Sequence, residues 1–423
     1  MPKPLRRYIP ALAAALPLIF FCTPLWAGGS DAALSKKTRQ TSNFLSERGR
    51  PLFLQYCAHC HGNNGEGDGF NAEFLDKEPA ELSDRDFLGK KTNNQIYRII
   101  YKGGAGVKKS HLMPVFGATL SEEEIWSLVA YARKLSGDTD HPVQVPEGAG
   151  RERPRGPAVS QEELAQFSSA AGEATPETLA FGEKLFRKKK SCLACHALEE
   201  EGGHVGPDLT RAGALYPAKW LYAWIAGPQV FSPDTKMPNL KLEREEARAL
   251  VHFLRSRAGG ERPMEWKQYL TARGDPERGR KLFFDPEGKA YCSKCHRMEE
   301  KGGRVGPDLS WIGSKRTREF LLESLLDPKA VITSGYSTVM ILTHDRKFIT
   351  GVKKSEDDSS LTLVDKEGRE QTISKDLIKK FKTQKISTMP ANFGDLLDVQ
   401  EVADLLAYLQ TRVHPLFAEP AKP

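Results

Sequence analysis

A chain of 423 residues with 39% apolar and 28% charged side chains has the composition of a folded protein of roughly two to four domains. That composition excludes a fibrous or wholly disordered chain. The formal net charge is +7, and Lys3, Arg6 and Arg7 at the very start supply three of those charges.

Residues 1–27 read as a secretory signal, with a basic start, an apolar run from Ala11 to Phe21 and a cleavage site at Leu25-Trp26-Ala27. An uncleaved anchor is the alternative, disfavoured by the shortness of the run and by Pro17 and Pro24. Cys22 leaves with the signal, because Phe21 stands where lipidation would want a small residue.

Six cysteines remain, and all of them fall in three pentapeptides of the form Cys-x-x-Cys-His, at Cys57 to His61, Cys192 to His196 and Cys292 to His296. Two thiols and an imidazole presented from one helical turn are what covalent attachment of a c-type haem requires. The thiols become thioethers to the vinyl groups and the imidazole reaches the iron. With 7 Cys and 10 His in 423 residues, chance does not place three such motifs. Structural zinc would want two Cys pairs close together in one small module, and these pairs are too widely separated. Three covalently bound haem c groups are therefore expected, on Cys57, Cys60, Cys192, Cys195, Cys292 and Cys295, with His61, His196 and His296 as proximal iron ligands. Such attachment takes place outside the bacterial cytoplasm, so a periplasmic protein is expected. Loss of the signal and gain of six propionates would bring the net charge to about −2, which argues against nucleic acid as a partner. The basic run Arg187-Lys188-Lys189-Lys190 either steers an acidic redox partner or is a solvated face.

The first unit spans 44–135 and closes in a helix. Ser121 and Glu124 form its capping box, and Ile125, Leu128, Val129, Ala132 and Leu135 recur at helical spacing. Residues 136–176 are rich in Pro, Gly and charge and read as a linker with a short helix around Gln161 to Phe167, which would tether the first unit loosely. The second unit, 177–258, and the third, 272–414, are internal repeats. Gly182-Glu183-Lys184-Leu185-Phe186 answers Gly279-Arg280-Lys281-Leu282-Phe283, and Gly206-Pro207-Asp208-Leu209 answers Gly306-Pro307-Asp308-Leu309. Helices are expected at Lys219 to Ala226 and Arg318 to Leu326, closed by Gly227-Pro228 and Asp327-Pro328. The third unit carries an insert at about 332–385. It reads as antiparallel strands at Ser337 to Thr343, Phe348 to Lys353, Leu361 to Val364 and Gln371 to Ser374, forming a small sheet or a partial barrel. Asp398 and Glu401 cap a last helix buried along Val402, Leu405, Leu406 and Leu409, and the tail from His414 reads as mobile.

Three methionines precede proline, one per unit and each downstream of its haem motif: Met113, Met237 and Met389. Proline keeps the methionine out of a helix and frees its thioether to face a flat ring, so these three are the expected sixth iron ligands. Met264, Met298 and Met340 read as packing residues, and His111 is the alternative ligand in the first unit. His204 faces Arg304 in the repeat and His252 lies within a helix, so neither is expected to bind iron. A proximal imidazole needs its second nitrogen held, and Gly206-Pro207 and Gly306-Pro307 offer a backbone carbonyl for it. No equivalent acceptor for His61 can be named from the sequence.

With these residues assembled, each unit resembles class I cytochrome c. An opening helix carries Gly49, Gly182 or Gly279, and a closing helix carries Tyr131, Phe253 or Tyr408. The resemblance implies that each helix pair crosses at the glycine with the aromatic packed against it. It also implies the ligand sets His61/Met113, His196/Met237 and His296/Met389. The third unit, with its strand-rich insert, resembles the haem-binding cytochrome domain of Pirellula and Verrucomicrobium proteins. The expected fold is mainly α, with three tandem cytochrome c-like helical domains and a small antiparallel β insert in the third. The expected function is single-electron transfer between redox protein partners by a triheme carrier without catalytic residues of its own. Two alternatives stand. One is the cytochrome subunit of a larger membrane-associated dehydrogenase or respiratory complex, reaching the membrane through that partner or through an uncleaved N-terminus. The other is a haem enzyme or gas sensor with one open iron.

Overall fold

The computed structural model describes residues 42–154, 159–164, 174–257, 264–357, 359–384 and 386–418; the signal segment 1–27 and part of the linker lie outside them. The principal helices are α1 (Ser42–Tyr56), α2 (Asn93–Gly106), α3 (Glu122–Leu135), α4 (Pro176–Lys184) and α5 (Ala218–Ala226). They continue as α6 (Arg244–Ser256), α7 (Pro276–Phe284), α8 (Arg318–Leu326) and α9 (Val399–Gln410). Among the described residues no helix is long and apolar enough to cross a membrane.

One device recurs three times. α1 crosses α3, α4 crosses α6 and α7 crosses α9, and each crossing is made at a glycine pressed onto the partner backbone. A Cβ on Gly49 would lie 2.1 Å from the Ser127 carbonyl oxygen, one on Gly182 2.2 Å from that of Ala249, and one on Gly279 2.0 Å from that of Asp404. Only hydrogen fits there. Beside each crossing the expected aromatic packs against one from the opening segment. Ring centroids are 5.2 Å apart for Phe53 and Tyr131, and 5.7 Å for both Phe186 with Phe253 and Phe283 with Tyr408.

The closing helices start as their sequences predict. Ser121 and Asp398 accept from the backbone N–H three residues on, while Glu124 and Glu401 reach back to the cap N–H. At α6, Glu246 reaches back to the N–H of Glu243 at 3.0 Å. The repeat between units two and three extends to the backbone, since Glu199 and Glu200 (φ 55° and 70°) are matched by Glu299 and Glu300 (φ 50° and 69°).

The insert is an open five-stranded antiparallel sheet, not a barrel. Its strands are β1 (Thr338–Thr343), β2 (Phe348–Glu356), β3 (Ser360–Val364), β4 (Glu370–Ser374) and β5 (Ile378–Gln384), in spatial order β4-β3-β2-β1-β5. Val339, Ile341, Leu361, Leu363 and Ile373 make its small core. The sequence reading found four strands and missed β5. That strand lies at the sheet edge and its lysine-rich residues are exposed along most of its length, so it lacks the apolar alternation that betrays the others.

Two expectations about looseness are corrected. The first unit is docked onto the second, not hung from a tether: Ser191 Oγ donates to the His111 carbonyl at 2.8 Å, and the Asn239 N–H donates to Thr119 Oγ1 at 2.9 Å. The described parts of 136–176 also pack. Val143 joins the first unit's core, whereas Val159 and Leu164 join the second's. The tail folds back as well: Phe417 stacks on Phe231 of the second unit with centroids 6.0 Å apart, and the Gln161 amide donates to the Pro415 carbonyl at 2.8 Å. These segments carry few apolar residues, but each seats one or two in a neighbouring core, which is enough to hold a short strap.

Units two and three are also locked together. Thr317 Oγ1 donates to the Ala214 carbonyl at 2.6 Å, Arg211 pairs with Glu323 at 2.9 Å, and Leu215 of the second unit lies in the third unit's core.

Candidate haem-binding sites

Each Cys-x-x-Cys-His pentapeptide forms one turn, in which the histidine N–H donates to the carbonyl of the first cysteine at 2.9 Å in all three copies. That turn brings both thiols and the imidazole to one side, the arrangement the motif was read for. The six cysteines are unbridged and partly buried. Desolvation pushes the thiols of Cys57, Cys192, Cys195 and Cys292 up to about 12 and raises those of Cys60 and Cys295, so all six are protonated at neutral pH.

The imidazoles are held alike. His196 Nδ1 lies 2.8 Å from the Pro207 carbonyl oxygen and His296 Nδ1 2.9 Å from that of Pro307, the acceptors expected from the sequence. His61 Nδ1 finds the Ala80 carbonyl at 2.9 Å, the acceptor that could not be named in advance. A carbonyl only accepts, so Nδ1 carries the proton and Nε2 keeps its lone pair for a metal. Burial lowers the basicity of all three rings against the opposing pull of those carbonyls, which favours the neutral, ligating form. Gly206 and Gly306 lie flat against their imidazoles, where a Cβ would come within 2.4 and 2.6 Å of Cε1.

The second and third sets open into one cavity of about 2010 Å³. Its walls include Cys192, Cys195, His196 and Met237 from the second unit and Cys292, Cys295, His296 and Met389 from the third. Lys315 and Arg316 project into the same space. The Arg316 guanidinium sits over the rings of Tyr216 and Phe320, 4.2 and 4.5 Å from their centroids, and its buried Nη1 has no partner among the described residues. Room for large flat groups, paired thiols, a ligating imidazole and thioether on each side, and an unmatched cation suited to a propionate together fit haem c.

The first set, Cys57, Cys60 and His61, lies outside that cavity, although Pro114 beside Met113 forms part of its wall. Met113 is placed by a kink in α2: Gly103 has φ 67°, and the Gly104 N–H donates to the Met113 carbonyl at 3.0 Å. Met237 Sδ accepts from Trp224 Nε1 at 3.0 Å. Met298 is fully buried in the third unit's core as a packing residue, whereas Met340 lies half-buried on β1 with its Sδ accepting from the Gln384 amide. The Met264 side chain lies outside the described residues. His204 packs edge-on to Phe74 and His252 lies on α6.

Residues 45–131 match the family model for cytochrome c oxidase, cbb3-type, subunit III, and residues 179–258 match that for cytochrome c. The chain carries c-type cytochrome domains. Such domains carry covalent haem c and shuttle electrons, and neither match extends into the third unit. Among solved structures, a chain of the reducing HAO-like protein complex of Kuenenia stuttgartiensis is similar at 20% identity, over 50% of this chain and 96% of that one, with a TM-score of 0.19. No curated protein matches.

Not all residues around these candidate sites were legible in the sequence. Gly103-Gly104 inside a helical pattern was a usable signal for the kink under Met113. Arg316 carried none, because a single arginine before a helix is ordinary. From the β insert, Lys366 and Glu367 in the β3–β4 turn line the shared cavity.

Proposed function

We propose that the protein is an exported triheme cytochrome that passes single electrons between redox partners in the periplasm. Its haems would be attached through Cys57/Cys60, Cys192/Cys195 and Cys292/Cys295, with His61 and Met113, His196 and Met237, and His296 and Met389 as axial ligands. The observation that carries this reading is the cavity shared by the second and third Cys/His/Met sets, with each imidazole oriented by a carbonyl so that Nε2 is free.

Haem c supplies a one-electron couple, and a Met/His ligand pair raises its potential relative to His/His. The chain supplies the rest. The Pro207, Pro307 and Ala80 carbonyls fix the tautomer and direction of each imidazole. The apolar walls, among them Trp220, Leu221, Phe320 and Leu405, keep water from the iron sites and so hold the potential up. Lys315 and Arg316 offset the carboxylates that two porphyrins would bring into one cavity.

Pyridine haemochrome stoichiometry on the purified full-length protein tests the count, with three per chain expected and two or fewer refuting it. The methionine-to-iron charge-transfer band of the ferric protein tests the axial set. It should disappear in the Met113→Leu, Met237→Leu, Met389→Leu triple variant.

A further inference from the structure

We propose that Asn71 is the positioning residue that clamps the first haem-attachment motif to the second and makes those two sites one electronically coupled pair. The inference rests on the triheme reading above and goes beyond it.

Asn71 is completely buried between the first two units, and it bonds to the interior of both pentapeptides. On the first, its backbone N–H donates to the His59 carbonyl at 2.9 Å and its side-chain Nδ2 lies 3.5 Å from Cys60 Sγ. On the second, Nδ2 donates to the Ala194 carbonyl at 2.7 Å, and Oδ1 accepts the His204 N–H at 2.7 Å. Both ends of one amide are thus committed to the second unit while its backbone is committed to the first. Gly203 makes room for this contact, since a Cβ there would come 2.6 Å from Asn71 Oδ1. The neighbouring Phe74 ring, edge-on to His204 with centroids 4.3 Å apart, closes the same seam.

The two motifs therefore stand back to back. The Asn71 amide nitrogen that lies 3.5 Å from Cys60 Sγ is the one that donates to the Ala194 carbonyl, the residue before Cys195. Between Cys60 and the Ala194-Cys195 peptide lies one amide group, so the shortest route from one attachment point to the other runs along covalent bonds and short polar contacts. An electron crossing leaves one iron ferric and its neighbour ferrous, and the amide takes up or releases no proton. At the repeat-equivalent position of the third unit, the atoms nearest to a Cβ on Gly303 are its own Lys294 carbonyl and Cys295 backbone, where Gly203 meets the Asn71 amide. The second and third sites communicate through their common cavity instead, which makes the second site the middle of the row.

Asn71→Leu keeps the side-chain volume and removes every polar contact of the amide. In the full-length haem-loaded protein we expect three haems per chain, faster hydrogen exchange at the His204 amide, and an electron equilibration between the first and second sites slowed by about tenfold or more, with the second-to-third rate unchanged. Unchanged first-to-second kinetics in a fully loaded variant would overturn the proposal, as would equal slowing of both steps. Asn71→Asp covers the case in which the leucine variant does not fold. It keeps the acceptor for His204 and brings a negative charge to the seam, so the midpoint potentials of the first two sites should fall at pH 8 while the third holds. A shift at all three sites, or at none, overturns the clamp. A wild-type count below three haems would instead strike the triheme reading, and His204 exchange in Asn71→Leu would still judge the clamp on its own.

Discussion

Replacing Gly206 by alanine probes the link between backbone packing and the iron ligand. The new methyl carbon would sit 2.4 Å from Cε1, 2.6 Å from Nδ1 and 2.9 Å from Nε2 of His196. Carbon atoms in contact rest at about 3.5–4.0 Å, so the ring or the loop must yield by roughly 1 Å. The loop cannot move freely, because the Gly206 N–H donates to the Cys195 carbonyl at 2.7 Å and Pro207 follows directly. The ring therefore tilts, and its 2.8 Å bond to the Pro207 carbonyl is the contact that fails. Overpacking of this kind costs about 1–3 kcal/mol, and the lost hydrogen bond about 1 kcal/mol more. The second site should then show a weakened iron–imidazole bond, seen as a partly high-spin ferric spectrum and a shifted midpoint potential, while the third keeps its values. Gly306→Ala should do the reverse. Spectropotentiometry on the two variants reads both effects. A Gly206→Ala protein with wild-type spectrum, potentials and thermal stability would refute the assignment of His196 as the ligand this glycine positions.

Other outcomes follow from the packing. Gly182→Val pushes α4 off α6 and should cost about 1–3 kcal/mol in denaturant unfolding, whereas Gly89→Ala, whose methyl meets nothing within 4 Å, should be neutral or stabilising. Arg133→Met takes the guanidinium from the buried Asp138 carboxylate, both side chains being at most 3% exposed, and leaves it His141 Nδ1 and the Asp140 N–H, so the cost should fall short of the about 3–5 kcal/mol of a fully unpaired buried charge. Asp404 is 2% exposed; burial pushes its carboxyl up, but Arg278, the Asp275 N–H and Gln400 outweigh that and leave it below the usual carboxylate range. The stabilisation it gives is present above about pH 4 and lost as pH falls through the lowered value. Asp404→Asn should therefore flatten the acid limb of a Tm-against-pH curve. Arg316→Met takes a cation from the shared cavity, which disfavours the reduced, less positive irons there. Potentials of the second and third sites should fall relative to the first.

The motifs, the helix caps and the glycine crossings were legible because each depends on residues adjacent in the chain or at a fixed spacing. The Pro207 and Pro307 carbonyls were legible for the same reason: a rigid turn lies a fixed distance after each haem motif. What joins the units was not. Asn71 bonds to Ala194 and His204 and Arg316 lies over the Tyr216 ring, partners far along the chain, and nothing in their immediate neighbourhood distinguishes them from surface residues. The Ala80 carbonyl, within its own unit, went unseen because no proline turn marks it as Pro207 and Pro307 are marked. The straps at 136–154 and 159–164 looked like linker because few of their residues are apolar, yet Val143, Val159 and Leu164 are enough to seat them. β5 escaped because an edge strand with an exposed, charged face carries no period of two.

The lodging of Leu215 inside the neighbouring core bears on how this polypeptide can be cut. A gene fragment beginning after residue 258 respects the repeat in the letters and would still strip the third module of a wall residue and open half of a common chamber to water. Loading of the later two pigments should accordingly be an all-or-none affair, and the smallest piece worth expressing alone runs from about 159 to 418.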